Sequence, residues 1–96
     1  MSIENERKLL ADVGRRIRAI RAEQSLNLDQ LARLTGISAP ALSLIETGKR
    51  DARLTTLAKI AAALRVSLSA LMDDTSPGPD TKTKDAPQGY DLGDYL

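Results

Sequence analysis

Leu31-Ala32-Arg33-Leu34-Thr35-Gly36-Ile37-Ser38-Ala39-Pro40-Ala41-Leu42-Ser43-Leu44-Ile45 reads as two short helices joined by a tight turn. Leu28, Leu31 and Ala32 recur at helical spacing and form the buried face of the first helix; Leu42 and Ile45 do the same for the second. Ala32 has to be small because the second helix crosses close to it. Gly36 supplies the turn, since it enters the left-handed region without a Cβ penalty. Ile37 follows as an apolar anchor that, with Leu42 and Ile45, sets the angle between the two rods. An ordinary helical hairpin also has a glycine turn and aliphatic stripes. The small residue, the turn and the anchor at these offsets together argue for the more specialised arrangement.

Outward from this pair the helical period continues. Leu10, Val13, Ile17 and Ile20 form one stripe of a first helix from about Ile3 to Gln24, with Glu4 and Glu6 at its start and arginines toward its end, as the helix dipole favours. Asn27 is the expected N-cap of the second helix, with Gln30 placed to reach back to it. Ser38 caps the third, which runs to about Glu46, and Pro40 sits at its second position, where a missing N–H costs little. Gly48 ends that helix. A loop, Lys49-Arg50-Asp51-Ala52, leads to a fourth helix striped by Leu54, Leu57, Ala61 and Leu64, and Ser67 caps a short fifth carrying Leu68, Leu71 and Met72. No internal repeat is visible.

The chain has 96 residues, 42% of them hydrophobic, with 14 Lys or Arg against 13 Asp or Glu, which bounds it to one small domain. Without cysteine or histidine it has no disulfide, no thiolate zinc site and no His-based triad. No apolar run approaches the roughly 20 residues that cross a bilayer, and the charged N-terminus lacks a signal core, so a cytoplasmic location is expected. Tyr90 and Tyr95 are the only aromatics, and a core of Leu, Ile, Val and Ala suits an all-α fold. Charge is split unevenly: residues 1–72 carry a net +5 and residues 73–96 a net −4. The basic part suits a polyanion; the acidic part either repels one or folds back to shield the basic face, unless it is only a solubilising tail. The boundary at residues 72 and 73 separates a domain at 1–72 from a flexible acidic tail at 73–96. Pro77, Gly78, Pro79 and Pro87 interrupt any regular backbone there.

Val13-Gly14-Arg15-Arg16-Ile17-Arg18-Ala19-Ile20-Arg21, Leu26-Asn27-Leu28-Asp29-Gln30-Leu31-Ala32, Gly36-Ile37-Ser38, Leu42-Ser43-Leu44-Ile45-Glu46-Thr47-Gly48-Lys49-Arg50 and the stripe from Leu54 to Ser67 resemble the Xre, or phage lambda repressor-like, helix-turn-helix domain over residues 13–72. The resemblance implies a five-helix lambda repressor-like domain, here with an extended first helix, that binds double-stranded operator DNA as a homodimer with its third helix in the major groove. It places Ser38, Ala39, Pro40, Ser43 and Leu44 at the base-facing positions. Arg, Gln or Asn are expected there, and this chain has none of them, so bidentate reading of guanine or adenine is not available. Ala39, Pro40 and Leu44 suit thymine methyls, Ser38 and Ser43 offer one hydrogen bond each, and DNA shape would supply the rest. The competing reading is that this helix meets protein.

Thr47, Lys49, Arg50 and Arg53 match positions where the family contacts the DNA backbone, and amide groups near Asn27 and Leu28 at the start of the second helix suit a phosphate. Arg21 and Glu46 match a pair that ties the first helix to the end of the third; otherwise they form a screened surface pair of small effect. Ser25 stands where glycine is frequent, which implies backbone strain or a changed turn. One copy covers a single half-site, so dimerisation is expected, with recognition helices about 34 Å apart. Leu68, Leu71 and Met72 are interface candidates unless they merely close the core, and residues 3–12, with Ile3, Leu9 and Leu10, are a second candidate.

Two functions fit: a dimeric repressor on a palindromic operator, or an antitoxin resembling small Xre-type domains that repress their own operon and neutralise a toxin. For the second, Tyr90, Leu92, Tyr95 and Leu96 in the segment 90–96 form a possible docking peptide beyond a linker. No cofactor is expected. Asp80, Asp85, Asp91 and Asp94 lack the spacing of a calcium loop, so no metal is expected, and scattered serines and lysines make no case for an enzyme.

Overall fold

The computed structural model describes residues 2–73, which form five helices: α1 (Ile3–Glu23), α2 (Leu28–Thr35), α3 (Ala39–Glu46), α4 (Leu54–Leu64) and α5 (Leu68–Met72). No strand occurs among the described residues. The proposed docking peptide, with Tyr90, Leu92, Tyr95 and Leu96, lies outside them.

Short polar side chains start most of the helices. Ser2, Asn27, Ser38 and Ser67 are extended N-caps whose side chains accept the N–H three residues on. At α2 the box is complete, because Gln30 Oε1 accepts the Asn27 N–H at 2.8 Å while Asn27 Oδ1 accepts the Gln30 N–H at 2.8 Å. The C-terminal ends of α1, α3 and α4 share one device. After α3 the Gly48 N–H bonds the Ile45 carbonyl and the Lys49 N–H bonds that of Leu44, with Gly48 at φ 75°. Ser25 and Arg65 occupy the equivalent left-handed position after α1 and α4, at φ 59° and 60°. The expected strain at Ser25 is therefore present, in a preserved turn.

The core is aliphatic. Ile17 of α1, Leu31 of α2, Leu42 of α3, Ile60 and Leu64 of α4 and Leu71 of α5 are fully buried, each contributing about 1.5–3 kcal/mol by leaving water. α1 packs against α3, α4 and α5, while α2 packs against α3 and α4, so the two-helix unit is braced from both sides. Polar side chains lock the far end: Gln24 Nε2 donates to the Leu64 carbonyl at 2.6 Å and Arg16 Nη1 to that of Leu71 at 3.2 Å.

Two expectations change. Leu71 is completely buried in the core and offers nothing to a second copy; Leu68 is half-buried against the same core, and only Met72 of the trio is exposed. Leu54, expected in the inner stripe of α4, is the first residue of that helix and is exposed, because the stripe on the core begins with Leu57.

Candidate nucleic-acid interface

α3 is built to be gripped from behind. Leu42, Ile45 and Glu46 are buried, while Ser38, Pro40 and Leu44 are exposed and Ala39 and Ser43 half-exposed. The inner face thus anchors the helix, and the base-facing residues named from the sequence share the outer one. Their chemistry is sparse. Ser38 Oγ accepts the Ala41 N–H at 3.2 Å and keeps its proton to donate. The Ser43 hydroxyl has no partner among the described residues. Leu44 is 37% exposed, a large apolar side chain at the centre of an outward face.

Two α1 residues set the height of α3. Arg21 Nε and Nη2 donate to the two Glu46 carboxylate oxygens at 2.7 and 2.9 Å, and Nη1 donates to the Leu26 carbonyl at 2.8 Å. The pair is far from a screened surface bridge: the side chains are only 14% and 5% exposed. The Glu46 hydrogen bond holds the Arg21 pKa above its ordinary value, against a smaller opposing effect of burial. Gly14 was named in the sequence only as part of a motif, yet a Cβ on it would lie 2.7 Å from the Glu46 carbonyl carbon. Its missing side chain lets α1 touch the backbone of α3.

The loop from Thr47 to Arg53 follows directly. Lys49, Arg50 and Arg53 are exposed, and none is in an ion pair among the described residues. Arg53, the N-cap of α4, makes no side-chain cap bond, so the N–H groups of Leu54, Thr55 and Thr56 have no acceptor among the described residues. An uncapped helix start beside free cations is suited to an anion. Sequence reasoning missed it, although the absence of Ser, Thr, Asp or Asn before Leu54 was visible.

At two of the expected backbone contacts the donors are engaged within the protein. The Thr47 hydroxyl donates to the Ser43 carbonyl at 2.9 Å and its N–H bonds the same oxygen, so Thr47 has no donor left. The Asn27 N–H is taken by Gln30; at α2 the open amides are those of Leu28 and Asp29.

This is a helix-turn-helix unit presenting its second helix, and comparison with known proteins agrees. Residues 17–71 match the helix-turn-helix family HTH_3, and the chain belongs to that family. It is 42% identical over 60 residues to the HTH-type transcriptional repressor RghR of Bacillus subtilis (strain 168), covering 62% of this chain and 44% of that protein. Against the immunity repressor protein of Bacillus phage phi105 the identity is 39% over 62 residues, 65% of this chain and 43% of the phage protein. The chain thus spans less than half the length of these curated relatives. Among solved structures, an HTH_3 family transcriptional regulator from Vibrio cholerae superposes with a TM-score of 0.66 at 33% identity, over 69% of this chain and 37% of that one. None of the helices is long and apolar enough to cross a membrane among the described residues.

Proposed function

We propose that the protein is a transcriptional repressor that occupies a palindromic operator as a homodimer, with α3 of each copy in the major groove. The observation that carries this is the division of α3: its inner face is buried and held by Arg21 and Gly14, its outer face is open, and exposed Lys49, Arg50 and Arg53 follow it. Both relatives described above are named as repressors. In this reading Ser38, Ala39, Pro40, Ser43 and Leu44 face bases. Lys49, Arg50, Arg53 and the open amides of α2 and α4 hold phosphates and set the register. Recognition is dominated by thymine methyls and DNA shape, since the outer face has no side chain for bidentate pairing.

The test is a titration over a salt series against the DNA upstream of the protein's own gene and against a scrambled duplex. A steep salt slope with tighter binding to the upstream DNA is expected. Equal affinities would remove base reading, and a flat slope would remove the phosphate contacts.

A further inference from the structure

On the side of the molecule formed by the first half of α1, the loop before α4 and the end of α5 lies an apolar groove of about 220 Å³. Leu9, Leu10, Val13, Leu54 and Met72 line it, with Arg50 at the same opening. Leu54 is 65% exposed and Met72 38%, so its walls lack cover from the described residues. Asp51 also stands there, but the loop as a whole carries Lys49, Arg50 and Arg53 against that single acid. The groove is therefore apolar inside, with Arg50 and Asp51 as its charged lining residues and Lys49 and Arg53 close by in the same loop.

We propose that its occupant is the segment Tyr90-Asp91-Leu92-Gly93-Asp94-Tyr95-Leu96 of the same chain, with tyrosine and leucine side chains in the groove and the aspartates beside Arg50. Three observations favour this occupant. The segment sets two aspartates among two tyrosines and two leucines, which suits an apolar groove with Arg50 in its lining. Residues 2–73 have no aromatic side chain, and the chain's two tyrosines both lie in this segment. Finally, Met72, a wall residue, immediately precedes the connection to it. For a connection of 17 residues, the number from 73 to 89, random-coil statistics give an r.m.s. span of about 20–25 Å. Such a tether gives an effective concentration on the order of millimolar, which a separate copy does not match at ordinary protein concentrations.

The consequence rests on the repressor reading: the docked segment and a DNA phosphate compete for Arg50, so the tail weakens DNA binding. Docking itself is tested without DNA. Because the chain has no tryptophan and only Tyr90 and Tyr95, tyrosine fluorescence reports on this segment alone. In the full chain, acrylamide quenching is expected to be several-fold weaker than in a free peptide of residues 88–96, at every dilution. Leu54→Asp, and independently Met72→Asp, should restore peptide-like quenching; both positions are exposed, and circular dichroism melting checks that the fold is kept. Peptide-like quenching in the unaltered chain, or protection that neither variant removes, overturns the proposal. Protection lost on dilution overturns it too, and assigns the groove to a second copy. With docking established, Tyr90→Ala combined with Tyr95→Ala in the full chain should tighten binding to both duplexes several-fold at low salt. Unchanged affinity there overturns the competition while leaving docking in place.

Discussion

Gly14 on α1 stands so close to α3 that a methyl group in its place would lie 2.5 Å from the carbonyl oxygen of Ile45. The two helices meet backbone to backbone, and the outward reach of α3 is set at that contact. Gly14→Ala separates two opposed effects. Helix propensity alone favours alanine by about 1 kcal/mol, whereas overpacking against a backbone costs about 1–3 kcal/mol. The obstructing atoms belong to the main chain and have no rotamer to escape into. A net loss of up to about 2 kcal/mol is expected in urea unfolding followed by circular dichroism. A gain in stability would show that α3 moves aside freely.

The Arg21 and Glu46 pair braces the same junction. Removing Glu46 leaves the half-buried Arg21 guanidinium with only its bond to the Leu26 carbonyl, so Glu46→Ala should cost about 1.5–3 kcal/mol. Arg21→Lys keeps the charge but loses the fork that reaches both carboxylate oxygens and the Leu26 carbonyl. It is expected to fall between the unaltered protein and Glu46→Ala in chemical denaturation. A double-mutant cycle with near-zero coupling would mean that the pair is screened despite its burial.

Ser25 and Arg65 hold the left-handed conformation that glycine adopts without a Cβ clash. Ser25→Gly should raise stability by about 0.5–1 kcal/mol, the relief of the clash being partly offset by the greater freedom of glycine in the unfolded chain. Arg65→Gly should behave alike. The Gln24 side chain bonds the Leu64 carbonyl and so joins the two turns, and the gains in melting temperature of the double variant are expected to depart from additivity.

At the proposed interface, cations and hydroxyls should separate by their response to sequence. Lys49→Ala and Arg50→Ala are each expected to weaken the upstream and scrambled duplexes alike and to lower the slope of log K against log salt by about 0.9. Ser43→Ala should weaken the upstream duplex alone. Thr47→Ala should leave the slope unchanged, because the threonine's donors are spent within α3.

The five helices, their caps and the turn at Gly36 were legible along the chain, because each depends on neighbours within about four positions. Asn27 with Gln30 announces α2 before any tertiary contact is known, and Ser38 followed by Pro40 announces α3. The outer face of α3 was legible for the same reason: once Leu42 and Ile45 point inward, helical geometry turns Pro40 and Leu44 outward. The destination of each apolar side chain was not. Leu71 and Met72 are adjacent and similarly apolar, yet one lies in the centre of the core and the other on the wall of an open groove. Neither the burial of Leu71 nor the meeting of Leu9 and Met72 in one groove follows from periodicity, which gives a helix a face without saying what lies across from it. Packing decides that, since α5 is short and its orientation comes from α1 and α4. The clearance at Gly14 belongs with these, for it depends on where the backbone of α3 comes to rest against α1.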